Sequence, residues 1–391
     1  MKFASVLLAL GCLLSAVSGR WLEEASPLPA ASPAPAALQL EPDSLIQSIV
    51  NSVSQDSIRA TILRLQRFGT RFAATESNYA AVLYAQDRMA GYSCDTVYLD
   101  YSDTTGYYKP SVIGVKRGRM HPDIEYIICG HIDSYAIDSA PGADDNASGT
   151  SVVLEACRAF AQHWFNYTVR FVCFNGEEGA GPSGAAHYAY QARSRGDSIL
   201  GVLNFDMVGY GMEGRDSVFV AGQDSGPNCA DLQQQWCFAA NAYTALKCRP
   251  FLRRRDSFMF FDHYWFWENG YHALLVEEVQ KTPEAHSFGD TIGPFGYESC
   301  GVNNLPLCTE ATKAAVATLA VLAQVEGRPG VDEPRQLPLP TFRPASAFTR
   351  LLPAGAVVYD AMGRRVVSPK SGVYFIRETQ AQTVRKVIIT D

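Results

Sequence analysis

Tyr126-Ile127-Ile128-Cys129-Gly130-His131-Ile132-Asp133 is the stretch whose reading decides the fold. An apolar run of strand length stops on a histidine, with an acid two residues further on. Three other runs behave alike: 169–174 leads through Asn175-Gly176 to Glu177-Glu178, 199–205 leads to Asp206, and 273–276 leads to Glu277-Glu278. Nearly continuous Val, Ile, Leu and Phe fits strands covered on both faces. Ligands of open α/β sheets bind beyond the carboxyl ends of the strands, so four strand ends aim polar side chains at one edge.

Further outward, 111–115 and 218–221 read as strands, and 150–163, 184–194 and 230–245 as the helices between them. Apolar residues at helical spacing over 43–53, 56–68 and 78–89 precede the alternation, and an amphipathic helix over 310–325 closes it. This pattern predicts an α/β fold with a mostly parallel, mixed central sheet flanked by helices on both faces.

Beyond that domain, expected over 41–326, the composition changes. Met1-Lys2-Phe3 and the apolar run 4–17, ending in small residues, read as an export signal over 1–19. An Ala/Pro-rich linker or pro-segment is expected over 20–40, and a Pro-rich linker over 327–346. Short β-rich pieces separated by turn residues follow, which predicts a small all-β module over 347–391. With 47% apolar and 19% charged residues the chain can bury a large core. A formal charge of −7 without a dense basic tract argues against a nucleic-acid surface. Arg253-Arg254-Arg255 reads as a solvated loop.

Loss of Cys12 with the signal leaves nine of the ten cysteines. Cys129, Cys157 and Cys173 lie in apolar runs and read as buried thiols, whereas Cys229, Cys237, Cys248, Cys300 and Cys308 are the disulfide candidates.

The chemistry rests on spacing. In His131-Ile132-Asp133 the outer two side chains share one face of an extended segment, so one can bind a metal while the other orients the ring. Gly142-Ala143-Asp144-Asp145-Asn146-Ala147-Ser148-Gly149 opens onto a helix. Two acids and an Asn exceed what a cap requires, and Asp145, with Asp144 as runner-up, suits a carboxylate bridging two cations. Glu177-Glu178, flanked by glycines, can diverge, one ligating while the other takes a proton. Asp206 ends a strand, and His286-Ser287-Phe288-Gly289-Asp290 adds a second imidazole with an acid nearby. The nitrogen and oxygen donors of His131, Asp145, Glu178, Asp206 and His286, without cysteine, suit two catalytic Zn²⁺ ions.

In this order the motifs resemble those of the clan MH co-catalytic zinc peptidases, which contain secreted bacterial leucyl aminopeptidases and, as relatives, the glutaminyl cyclases. The resemblance spans 41–325 and implies the phosphorylase/hydrolase-like exopeptidase fold. It also implies one zinc on His131, Asp145 and Asp206 and another on Asp145, Glu178 and His286. Glu177 would deprotonate a metal-bridging water, and Asp133 and Asp290 would steady the ligands. An acid at Glu277 or Glu278 would hold the substrate amino group. Phe261-Asp262-His263 stands where the family often has Ser-Asp-His. The tail, with Val357 to Arg365 and Gly372 to Arg377, resembles a type IX secretion sorting domain, which would engage secretion machinery.

The expected function is therefore a secreted or cell-surface bacterial metallo-aminopeptidase acting on peptide or protein N-termini. A single-zinc glutaminyl-peptide cyclotransferase using Asp145, Glu178 and His286 is the alternative within the fold, and a carboxypeptidase is a further hydrolytic one. A metal-binding, surface-displayed adhesion protein is the non-enzyme alternative.

Overall fold

The computed structural model describes residues 42–135, 139–179, 183–212, 217–253 and 261–327, and five strands between 347 and 389. The expected signal, the 20–40 linker, nearly all of the 327–346 linker, Arg254, Arg255 and Phe258 lie outside the described residues.

Three helices lead in: α1 (Ser44–Asn51), α2 (Gln55–Gln66) and α3 (Glu76–Gly91). Each starts on a side chain that accepts otherwise orphaned amides, Asp43, Ser54 and Thr75 respectively. The sheet strands follow as β1 (Thr96–Asp100), β2 (Ser111–Lys116), β3 (His121–His131), β5 (Tyr167–Phe174), β6 (Ser198–Phe205), β7 (Ser217–Gln223), β8 (Lys247–Arg253) and β9 (Ala273–Glu278). Two-residue strands β4 (Trp164–Phe165) and β10 (Val325–Glu326) pair separately. Between the strands run α4 (Gly149–Ala159), α5 (Gly184–Arg195), α6 (Ala230–Tyr243) and α7 (Asp262–Glu268), and α8 (Leu305–Leu322) comes last.

The eight strands lie in the order β1-β2-β5-β3-β6-β9-β7-β8. The four strands whose ends carry the polar residues, β5, β3, β6 and β9, are neighbours and mutually parallel. Antiparallel pairing appears outside them, at β1–β2, β2–β5 and β9–β7. The expected mixed, mostly parallel sheet is what forms. Two strands escape the apolar reading, β1 and β8, both at sheet edges. An edge tolerates the charges and the proline of Lys247–Arg253, because one side of its backbone need not pair.

α8 is the one described helix long and apolar enough to cross a membrane, and it is packed into the core. Its Ala311, Ala314, Ala315 and Ala317 are fully buried and let neighbouring helices approach closely, while the Thr312 and Thr318 hydroxyls donate to the carbonyls one turn back.

The nine described cysteines are all thiols, so the disulfides expected among Cys229, Cys237, Cys248, Cys300 and Cys308 do not form. Cys229 and Cys300 instead direct their sulfurs to the carbonyls of Pro227 and Tyr297. Between 347 and 389, five strands, β11 (Ala347–Thr349), β12 (Val357–Tyr359), β13 (Arg365–Val366), β14 (Gly372–Arg377) and β15 (Val384–Ile389), order as β11-β15-β14-β12-β13.

Candidate metal centre

β3 delivers His131 as its last residue, paired with Phe174 at the end of β5, and the chain after Phe174 turns immediately into Glu177 and Glu178. Phe205 of β6 pairs with Val276 of β9, placing Asp206 one residue beyond. Parallel strands in near register thus bring residues 75 positions apart in sequence (131 and 206) to one edge.

The fourth segment is a turn between β3 and α4. Ala143–Ser148 forms a π-type turn in which Asp145 leaves helical geometry at φ −106°, ψ 87°. Two glycines permit it. Gly142 sits at φ +58°, where a Cβ would meet the Asp145 carbonyl at 2.4 Å; at Gly149 a Cβ would meet the Phe205 carbonyl at 2.2 Å. Asn146 ties the turn to β6, its Nδ2 donating to the Phe205 carbonyl at 2.9 Å and its Oδ1 accepting from Met207 N at 3.3 Å.

Those constraints converge on Asp145. Its Oδ1 lies 3.3 Å from His131 Nε2, which is also 3.4 Å from Asp206 Oδ1. Its Oδ2 lies 3.0 Å from His286 Nε2, which is 3.2 Å from Glu178 Oε2. One carboxylate therefore faces two donor groups, one with each oxygen. Ligand atoms of His131, Asp145 and Glu178 all fall within 4.8 Å of one another. Asp144, the runner-up, is instead fully enclosed and accepts from Gly209 N at 2.9 Å.

Outer residues fix this arrangement. Asp133 accepts the amides of Glu177 at 3.4 Å and Glu178 at 3.1 Å and stands 3.5 Å from His131 Nδ1. Asp290 accepts the amides of Asp144 at 2.8 Å and Asp145 at 3.1 Å. The His286 ring, half-exposed, stacks on Tyr135 at 4.4 Å and 11°.

The electrostatics call for cations. His131 Nε2 and Glu178 Oε1 are buried with no hydrogen-bond partner. Burial pushes Glu178 up to about 8, helped by the Asp145 carboxylate, and pushes Glu177 well above the carboxylate range, helped by Glu178 and Asp206 against the pull of His131. Burial opposes charge on the His286 ring, yet hydrogen bonding to Asp145 and Glu178 raises it to about 11. Four carboxylates around two imidazoles form a desolvated excess of acidic groups that divalent cations would relieve. The residues present fit such ions in donor type and in orphaned atoms.

The two candidate substrate acids separate across β9. Glu278 is fully buried, accepts from Tyr210 N at 2.5 Å and Thr282 N at 3.3 Å, and is hydrogen-bonded to Asp144. Of the two alternatives, Glu278 is the one engaged with these partners, since period-two alternation along β9 puts the pair on opposite faces. Glu277 lies on the other face, in the field of Asp206 and Asp145, with Lys281 Nζ at 2.5 Å. Among the remaining histidines, His272 is turned toward the Asn228 carbonyl at 3.0 Å, and His263 is buried edge-on to Trp267. Phe266 and Trp267 belong to the core.

Sequence reading missed Arg71. It is fully buried and donates to the carbonyls of Ile132 at 2.9 Å, Leu65 at 3.3 Å, Gly142 at 2.9 Å and Pro141. It thereby clamps the segments that carry Asp133 and the Asp145 turn. Nothing in Gly69-Thr70-Arg71-Phe72 distinguishes it from a surface arginine.

Residues 111–303 match the model of Peptidase family M28. A probable zinc metalloprotease of Leptosphaeria maculans is 30% identical over 192 residues, 43% of this chain and 44% of that protein. An aminopeptidase of Bacillus subtilis is 35% identical over 127 residues, 32% of this chain and 27% of that protein. The chain thus spans less than half the length of these curated relatives. Among solved structures, the LapA aminopeptidase of Legionella pneumophila superposes with a TM-score of 0.60 at 20% identity, covering 71% of this chain and 74% of that one.

Proposed function

We propose that this protein is a secreted metallo-aminopeptidase that binds two zinc ions and removes N-terminal residues from peptides. The observation that carries this reading is the split of the Asp145 carboxylate between the His131–Asp206 and the His286–Glu178 groups. The match of 111–303 to the model of Peptidase family M28, and the similarity of the chain to a probable zinc metalloprotease and to an aminopeptidase, support hydrolysis.

Zinc, when bound, supplies a Lewis acid for the scissile carbonyl and lowers the pKa of water. The chain's own residues do the rest. His131, Asp145, Asp206, Glu178 and His286 hold the ions, with Asp133 and Asp290 fixing their directions. Glu177, beside these groups and raised in basicity by burial, accepts the proton of the attacking water and returns it to the departing amine. Glu277 is the candidate for the substrate ammonium, within the negative field of Asp145 and Asp206.

The intact His131–Asp206 half favours hydrolysis over cyclisation, for which the Asp145, Glu178 and His286 group would suffice. Export by the signal at 1–19, and engagement of secretion machinery by the β-rich tail, belong to the same proposal. An aminoacyl-anilide panel run beside a glutamine-cyclisation assay, each with and without chelator, tests it together with metal analysis. Chelator-sensitive amine release with two zinc ions per chain is expected. Cyclisation with a single zinc overturns it.

A further inference from the structure

We propose that Cys94 and Cys157 form a dithiol site that low-molecular-weight disulfides oxidise to an internal disulfide. Their Sγ atoms are 3.4 Å apart, in direct contact, against about 2.0 Å in a disulfide bond. Cys94 lies in the turn between α3 and β1 and is half-buried; Cys157 lies in α4 and is enclosed. Gly114 of β2 makes room for the first thiol, since a Cβ there would stand 3.0 Å from Cys94 Sγ.

The two sulfurs divide the chemistry. Cys94 is the reachable one, and the hydrogen bond from Cys157 together with the Lys116 ammonium lowers its pKa against the opposing effect of burial. Burial raises that of Cys157, with the Cys94 contact adding to it. Cys94 as thiolate attacks one sulfur of a disulfide RSSR, forming a mixed disulfide and releasing RS⁻, which takes up the proton Cys94 gave away. Cys157 then loses its proton and attacks the Cys94 sulfur, expelling the second RSH. Two protein thiols lose two electrons and two protons, and RSSR becomes two RSH. The bond ties the approach to β1 onto α4, closing a loop that contains His131 and Asp145 and is independent of any metal.

The test compares the full chain after incubation with oxidised glutathione or with dithiothreitol, followed by denaturation, alkylation and mass measurement. The oxidised sample should take up two fewer labels, and digestion should yield a linked peptide joining Cys94 to Cys157. Cys157→Ser should stop at one glutathione on Cys94, and Cys94→Ser should abolish the two-label difference. Equal labelling of the unsubstituted protein under both conditions, or a linked peptide joining other cysteines, overturns the proposal whether or not either variant folds.

Discussion

Oδ2 of Asp290 accepts the backbone amide of Asp145 at 3.1 Å, so the carboxylate shared between the two histidines is aimed through its own main chain. Asp290 Oδ1 does the same for Asp144 N at 2.8 Å, and its carbonyl receives Ala143 N at 3.0 Å. The loop carrying His286 and the turn carrying Asp145 are thereby one construction. Asp290→Ala frees that turn, and zinc affinity should fall about 10–100-fold, the usual effect of removing an outer partner. Chelator-competition titration reads this directly; unchanged affinity would show that the turn holds without Asp290.

In the proposed function Glu177 is the base and is not among the ligands. Glu177→Gln should lower kcat by about 10²–10⁴-fold while zinc content stays at the wild-type level. Full activity in that variant removes the assigned base.

The Tyr135 ring lies parallel to the His286 imidazole at 4.4 Å, on a residue whose own backbone is at φ +61°. Tyr135→Phe should keep zinc retention, and Tyr135→Ala should speed zinc loss to a chelator. Stopped-flow release from the three proteins checks it, and equal rates would reduce the stack to incidental contact.

Arg71 donates to four carbonyls with none of its side chain exposed. Arg71→Met leaves those acceptors unsatisfied beside Asp133 and Asp290, and should cost about 3–5 kcal/mol of stability. Urea unfolding measures it; a loss under about 1 kcal/mol would mean that water replaces the guanidinium without penalty.

Burial lowers the His263 pKa to about 3, against 6.5 ordinarily. The unfolded chain therefore binds the proton more readily, and the stability from keeping this ring neutral is present above about pH 6.5 and is lost as pH falls toward 3, at up to about 1.4 kcal/mol per pH unit. Urea midpoints at pH 7 and pH 5 without zinc should differ less in His263→Leu than in wild type. An unchanged difference assigns the acid sensitivity to other groups.

The four central strands were legible in the sequence because both their faces are covered, which leaves near-continuous apolar runs such as Tyr126 to Cys129. The edge strand Lys247–Arg253 was not, since pairing on one side alone demands no such run. Helix α7 was hidden likewise, its aromatic residues giving no strong period between strand and helix.

By itself the sequence marked His131, Glu178 and Asp206 as candidate donors, because histidines and acids at the ends of buried strands have few other reasons to stand there. Only the tertiary structure decided how they divide. Strand order made β5, β3, β6 and β9 neighbours, and the turn after Gly142 gave Asp145 rather than Asp144 both histidines. The alternation of β9 turned Glu278 inward, and Arg71 was drawn under the site. Those outcomes depend on backbone carbonyls and amides that any sequence supplies equally, so composition and spacing carry no record of which side chain each will meet.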